Sequence, residues 1–116
     1  MADIHLDNAV LETLRDVMED EYSLLLETFL LDSEERLRLL LETSVSGDAQ
    51  AMRLAAHSFK GSCSNMGALL LASLCKELEE LARRERLDAT AELLEQVQRE
   101  FAIVRILFKA ELQRHR

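Results

Sequence analysis

The sequence predicts an all-α protein, an antiparallel four-helix bundle with a short additional helix at its N-terminus. Three observations lead there. The 116 residues include no proline and only three glycines, so the residues that punctuate strands and tight turns are scarce. Leu, Ala, Glu and Arg dominate over β-branched and aromatic side chains, and these are helix formers. Apolar residues recur at steps of three and four over long stretches, the period of an amphipathic helix. The length suits one domain over 1–116, large enough to bury a core without disulfide or metal staples.

Each element follows from the same pattern. A short helix is expected from about Asp7 to Met18, with Val10, Leu11, Leu14 and Met18 on one side and Asp7 as its N-cap. A long helix from about Glu19 to Ser44 repeats Tyr22, Leu25, Leu26, Phe29, Leu30, Ser33, Leu37, Leu40 and Leu41. Ser46-Gly47-Asp48 reads as a stop and a restart, with Gly47 left-handed after the helix end and Asp48 capping the next. The third helix runs from Asp48 to about Asn65, and the fourth from about Gly67 to Glu85 with the stripe Leu71, Leu74, Cys75, Leu78, Leu81 and Ala82. Asp88 is the expected cap of a fifth helix, striped by Leu93, Leu94, Val97, Phe101, Val104, Leu107, Phe108 and Leu112. Short loops between long helices favour antiparallel neighbours.

Composition excludes several functions. No run of about 18 apolar residues exists, so no membrane-spanning helix is expected. The start Met1-Ala2-Asp3 is acidic, unlike a secretory signal, and the expected location is the cytoplasm. Cys63 and Cys75 form no metal or redox motif and read as free buried thiols. A net charge of −8 disfavours nucleic acid as a partner. Residues 1–48 hold 13 acidic side chains against three basic, and 49–116 hold nine against 11, so the relatively basic part lies in the middle and C-terminal helices.

The third helix carries the chemistry. At about 100° per residue, Met52, Ala55, Ala56, Phe59, Cys63 and Met66 face the core, and His57 points away from them. Gln50, Arg53, Leu54, Lys60, Gly61 and Ser64 share its outward face. A surface histidine or a pair of cations alone is unremarked solvated surface, but a mid-helix glycine costs about 1 kcal/mol relative to alanine. Gly61, one turn after His57, would let a partner's active site approach the imidazole, and Leu54, one turn before, would add an apolar contact. A neutral imidazole is a nucleophile that can attack phosphorus. Lys60 on the neighbouring turn would offset the charge of the transferred group, with Arg53 assisting from the other side. Gly67, four residues before Leu71, falls on the inward stripe of the fourth helix, where a missing side chain would let the third and fourth helices approach closely.

The run Ala56-His57-Ser58-Phe59-Lys60-Gly61-Ser62-Cys63-Ser64-Asn65-Met66-Gly67-Ala68, followed by Leu74-Cys75 and Leu78-Glu79, resembles the signature of histidine-containing phosphotransfer (HPt) domains, and the whole length fits one stand-alone module. The resemblance implies that His57 is phosphorylated, that Lys60 neutralises the phosphoryl group, that Gly61 gives access and that Gly67 serves helix packing. Arg53, Leu54, Gly61 and Ser64 are the expected docking residues. Phe59 stands where the family more often has leucine; facing inward, it should alter packing and not transfer. The implied partners are the receiver domain of a hybrid sensor histidine kinase and the receiver of a response regulator, with flow permitted both ways. No metal site or cofactor is expected on this chain; Mg2+ is expected on the partner receiver. The resemblance makes the protein a phosphoryl carrier without kinase activity.

Other readings compete. A histidine-kinase dimerisation domain normally has an acidic residue after its histidine and a proline a few positions on; here Ser58 follows and proline is absent. There is no Gly-rich phosphate loop and no room for an ATP-binding module. A phosphotransfer module fed by a separate ATP-binding domain shares the signature but normally heads a longer polypeptide. A non-catalytic helical adaptor explains the bundle and leaves the joint placement of His57, Lys60 and Gly61 accidental. For metal, His57 and Cys63 point to different faces, His5 and His115 fall at ends expected to fray, and Glu77, Glu79 and Glu80 read as a solvated face.

Overall fold

The computed structural model of the protein describes residues 4–115, so the acidic start Met1–Asp3 lies outside the described residues. Five α-helices follow one another: α1 Asn8–Met18, α2 Tyr22–Ser46, α3 Ala49–Asn65, α4 Leu69–Arg83 and α5 Ala91–His115, with short 3-10 turns at Glu19–Glu21 and Leu87–Ala89. The four long helices form a ring in which α2 packs on α3 and α5, and α4 packs on α3 and α5. The α2–α5 pair is antiparallel: Tyr22 meets Glu111 at one end and Glu34 meets Arg105 further along. The molecule measures 42 × 28 × 20 Å, and its long axis matches a 25-residue helix at 1.5 Å per residue.

The apolar stripes meet as expected. Met52, Phe59 and Cys63 of α3, Leu71, Cys75 and Leu78 of α4, Val97, Val104 and Phe108 of α5, and Leu26 and Leu40 of α2 have no exposed surface. Phe29 meets Phe108, and Phe59 meets Phe101, edge to face with ring centroids 4.9 and 6.3 Å apart, a favoured arrangement of aromatic quadrupoles. Phe59 thus fills the core beneath the His57 face. Cys63 and Cys75 are free and buried.

Asp7 caps α1 by accepting from the Ala9 N–H at 3.0 Å, and Asp48 caps α3 by accepting from the Ala51 N–H at 3.0 Å. Gly47 closes α2 with φ +74°. Three expectations change. Gly67 is not part of α4. With φ +76° it is the left-handed residue that ends α3, where Ala68 N–H donates to Cys63 O at 2.9 Å and Gly67 N–H to Ser64 O at 3.2 Å, the paired bonds of a Schellman closure. A Cβ on Gly67 would lie 3.1 Å from Asp7 O and from Val10 Cβ, so the space it leaves admits α1 instead of drawing α3 toward α4. Helical phase could not show this, because the chain leaves the α4 helix before reaching Gly67.

Asp88 does not cap α5. It sits in the 3-10 turn, and Thr90, buried and donating its hydroxyl to Leu87 O at 2.8 Å, precedes the first turn, with Leu94 N–H returning to Thr90 O. The terminal histidines are also tied down. His5 Nδ1 lies 2.7 Å from Oε2 of buried Glu100, His115 Nε2 lies 2.9 Å from Oε1 of buried Glu111, and Ser23 donates to His115 O. Both carboxylates are buried on the inward side of α5. Each is satisfied by groups from a far part of the chain, as a buried charge requires.

Candidate functional site

The site is a ridge on α3 flanked by α2 on one side and α4 on the other. His57 leaves the middle of α3 opposite the core stripe, and its side chain is 63% exposed. Arg53 and Lys60 are half-buried, while Leu54, Gly61 and Ser64 are exposed on the same face. A Cβ built on Gly61 meets nothing within 4 Å. No packing inside the molecule calls for glycine there, and the gap beside the imidazole opens to solvent.

The structure adds a residue assigned above to a solvated face. Glu79 of α4 is only 18% exposed, and its carboxylate spans the two α3 side chains, with Oε1 2.6 Å from Lys60 Nζ and Oε2 2.8 Å from His57 Nδ1. Burial pushes the Glu79 carboxyl up, but hydrogen bonds from Lys60 and His57 outweigh it and hold the group below the usual carboxylate range. An ionised carboxylate only accepts, so Nδ1 carries the hydrogen and donates. That fixes the tautomer: in the neutral ring, the lone pair sits on Nε2, the nitrogen turned away from Glu79. Phase held a signal for Glu79, because it lies about 95° from the centre of the α4 stripe while Glu80 lies about 165° away.

On the other flank, Arg36 of α2 donates from Nε to Ser58 Oγ at 2.9 Å. A groove of about 360 Å³ runs between α2 and α3, lined by Arg36, Leu39, Thr43, Leu54, Ala55 and Ser58. A second groove, of about 750 Å³, begins at Lys60 and Glu79 and runs along α4 past Ser73 and Lys76 to Leu93 of α5. Of the outward residues on α3, Arg53 donates to Gln50 Oε1 at 3.2 Å. Chemically, the ridge offers an oriented nucleophilic nitrogen, a cation one turn away and room for an incoming surface.

The family model described as Hpt domain matches residues 24–114. A crystal structure of histidine-containing phosphotransfer protein B (HptB) from Pseudomonas aeruginosa PAO1 superposes with a TM-score of 0.96 at 63% identity, over 99% of this chain and 100% of that one. The HPT domain of a sensor hybrid histidine kinase from Shewanella superposes with a TM-score of 0.81 at 18% identity, over 97% of each chain, and supports the fold alone. No curated protein sequence matches significantly.

Proposed function

The chain belongs to the Hpt domain family, and from that premise we propose that it relays a phosphoryl group on His57 between an aspartate of a hybrid kinase's receiver domain and an aspartate of a response-regulator receiver. Membership supports a histidine phosphotransfer role in two-component signalling, and in the proposed scheme the chain acts as a carrier, with the phosphoryl group supplied by its partner. The observation that carries the residue assignment is the His57–Glu79–Lys60 arrangement on an open face.

The step balances without a cofactor on this chain. Nε2 of neutral His57 attacks the phosphorus of the aspartyl phosphate; the N–P bond forms as the P–O bond breaks, and the aspartate leaves as a carboxylate. The ring keeps its hydrogen on Nδ1 and takes on positive character, which the Glu79 carboxylate offsets. Lys60 lies beside the arriving phosphoryl group, whose charge it balances. Proximity and electrostatic support are most of what phosphoryl transfer needs. Mg2+ belongs to the receiver's acidic site in this scheme. The return step reverses the same bonds, so direction follows the relative phosphorylation of the partners.

Incubation with a phosphorylated receiver followed by mass spectrometry at neutral pH should place one acid-labile, base-stable phosphoryl group on His57. His57→Gln should fold normally and take no label. Persistent label in that variant would end the assignment; retained signalling by the unlabelled variant would favour the adaptor reading.

A further inference from the structure

In a chain with 22 acidic residues, arginines find carboxylates easily. Arg15, Arg38, Arg83, Arg84, Arg86, Arg99, Arg105 and Arg114 all pair with one. Among the described residues the two arginines that do not are Arg36, which is bonded to Ser58 next in sequence to His57, and Arg53, one turn before His57 on α3. Arg36 is the more unusual. It is half-buried, reaches from a different helix, and spends only Nε on the neutral hydroxyl of Ser58. Both terminal nitrogens, with four N–H donors, have no partner among the described residues. The Arg36 charge is felt by neighbouring Glu35, but no carboxylate among the described residues closes on it as an ion pair, and at the mouth of an apolar groove it is complementary to a carboxylate brought from outside.

We propose that Arg36 reads the partner: with the α2–α3 groove, it engages a receiver surface that presents a carboxylate beside an apolar helix face. This rests on the reading of His57 as phosphoryl carrier and adds the residue that selects who docks. Leu39 and Leu54 supply the apolar contact, and Leu54 is 54% exposed. The bond to Ser58 ties the guanidinium to α3, which reduces the side-chain freedom lost on docking. A planar guanidinium suits bidentate capture of a carboxylate. Arg36 approaches from the α2 flank and Lys60 from the α4 flank, so the docking charge and the charge serving the phosphoryl group are separate.

The experiment compares two phosphoryl donors. Phosphoramidate, a small donor, needs no docked surface; a receiver domain charged with acetyl phosphate, chosen as the fastest of a panel to label His57, does. Arg36→Glu should raise the receiver concentration for half-maximal transfer by about tenfold, leaving the rate at saturation and phosphoramidate labelling within twofold. Arg36→Gln should raise it about threefold and Arg36→Lys less, with the differences shrinking at high salt. Arg38→Glu, the same charge change at a residue paired on its own helix, should leave the half-maximal concentration unaltered.

Unchanged half-saturation in both Arg36→Glu and Arg36→Gln would overturn the inference. Equal losses in Arg36→Glu and Arg38→Glu would overturn it in favour of overall charge. Slower phosphoramidate labelling in the Arg36 variants would overturn it in favour of an effect on the imidazole. If the unaltered protein is not labelled at His57 by either donor, the carrier reading itself falls and takes this inference with it.

Discussion

At the scale of single residues, the ridge on α3 separates side chains that serve the fold from side chains that do not. Gly61 meets no neighbour that would exclude a methyl group, so Gly61→Ala should stabilise the protein by about 1 kcal/mol and slow transfer from a receiver; urea unfolding and transfer kinetics check the two halves. Glu79→Ala should lower the transfer rate at least tenfold, an order-of-magnitude expectation for losing a tautomer-fixing partner. Glu79→Gln, which still offers an oxygen to Nδ1–H, should lose less, and nitrogen-15 spectra should show the Nδ1–H form weakened only in the alanine variant. Lys60→Ala should shorten the lifetime of phosphorylated His57 and leave folding nearly unchanged, since its ion pair is on a partly exposed face. His57, Lys60 and Gly61 were legible in the sequence because a single helix fixes their relative directions. Glu79 and Arg36 were not, because their nearness to His57 is decided by how α4 and α2 are rotated and slid against α3.

At the scale of elements, helix ends carry most of what periodicity misses. α4 closes as α3 does: Arg86 N–H donates to Leu81 O at 2.9 Å and Glu85 N–H to Ala82 O at 3.0 Å, but the left-handed residue is Glu85, φ +56°. A side chain there is strained by about 1 kcal/mol. Glu85→Gly should therefore raise the urea midpoint, by about 0.5–1 kcal/mol in stability, with no change in transfer. Gly47 and Asp48 were legible because their conformational preferences are local. Gly67 looked like an inward α4 residue because the phase of α4 was carried back past the point where the chain turns; its actual constraint comes from Asp7 and Val10 of a helix more than 50 residues earlier. Asp88 was chosen by residue type, and the turn placed Thr90 at the junction instead.

For the whole molecule, the class of fold was legible since every long segment has one apolar stripe and the breaks between them are short. Phase puts the buried acids Glu100 and Glu111 only about 70° and 50° from the centre of the α5 stripe; what could not be read was which distant segments meet them. Those meetings set the response to pH. Burial pushes the Glu111 carboxyl up, but hydrogen bonding and charge from Arg114, with Tyr22 and His115, hold it below its ordinary 4.5; Glu79 is lowered too. Both native values lie below the unfolded ones, so their stabilisation is present above about pH 4.5 and lost as pH falls through the native values. Burial, together with the Glu111 charge, pushes Tyr22 up to about 12. A raised phenol stabilises the fold below its unfolded value of 10.0 and loses that contribution between there and about 12. Tyr22 is the sole tyrosine and the chain has no tryptophan, so phenolate absorbance near 295 nm should follow this one group, rising together with loss of helical circular dichroism.

An imidazole standing 63% in the open has a further consequence for the proposed phosphoryl carrier. Among the described residues nothing shutters the open side of the ring from bulk water, so a phosphoryl group held there would leak away at the pace of N–P hydrolysis, like charge draining from an uninsulated plate. Memory in such a relay is a race between that leak and the next encounter, and the abundance of takers sets how faithfully a stimulus is remembered.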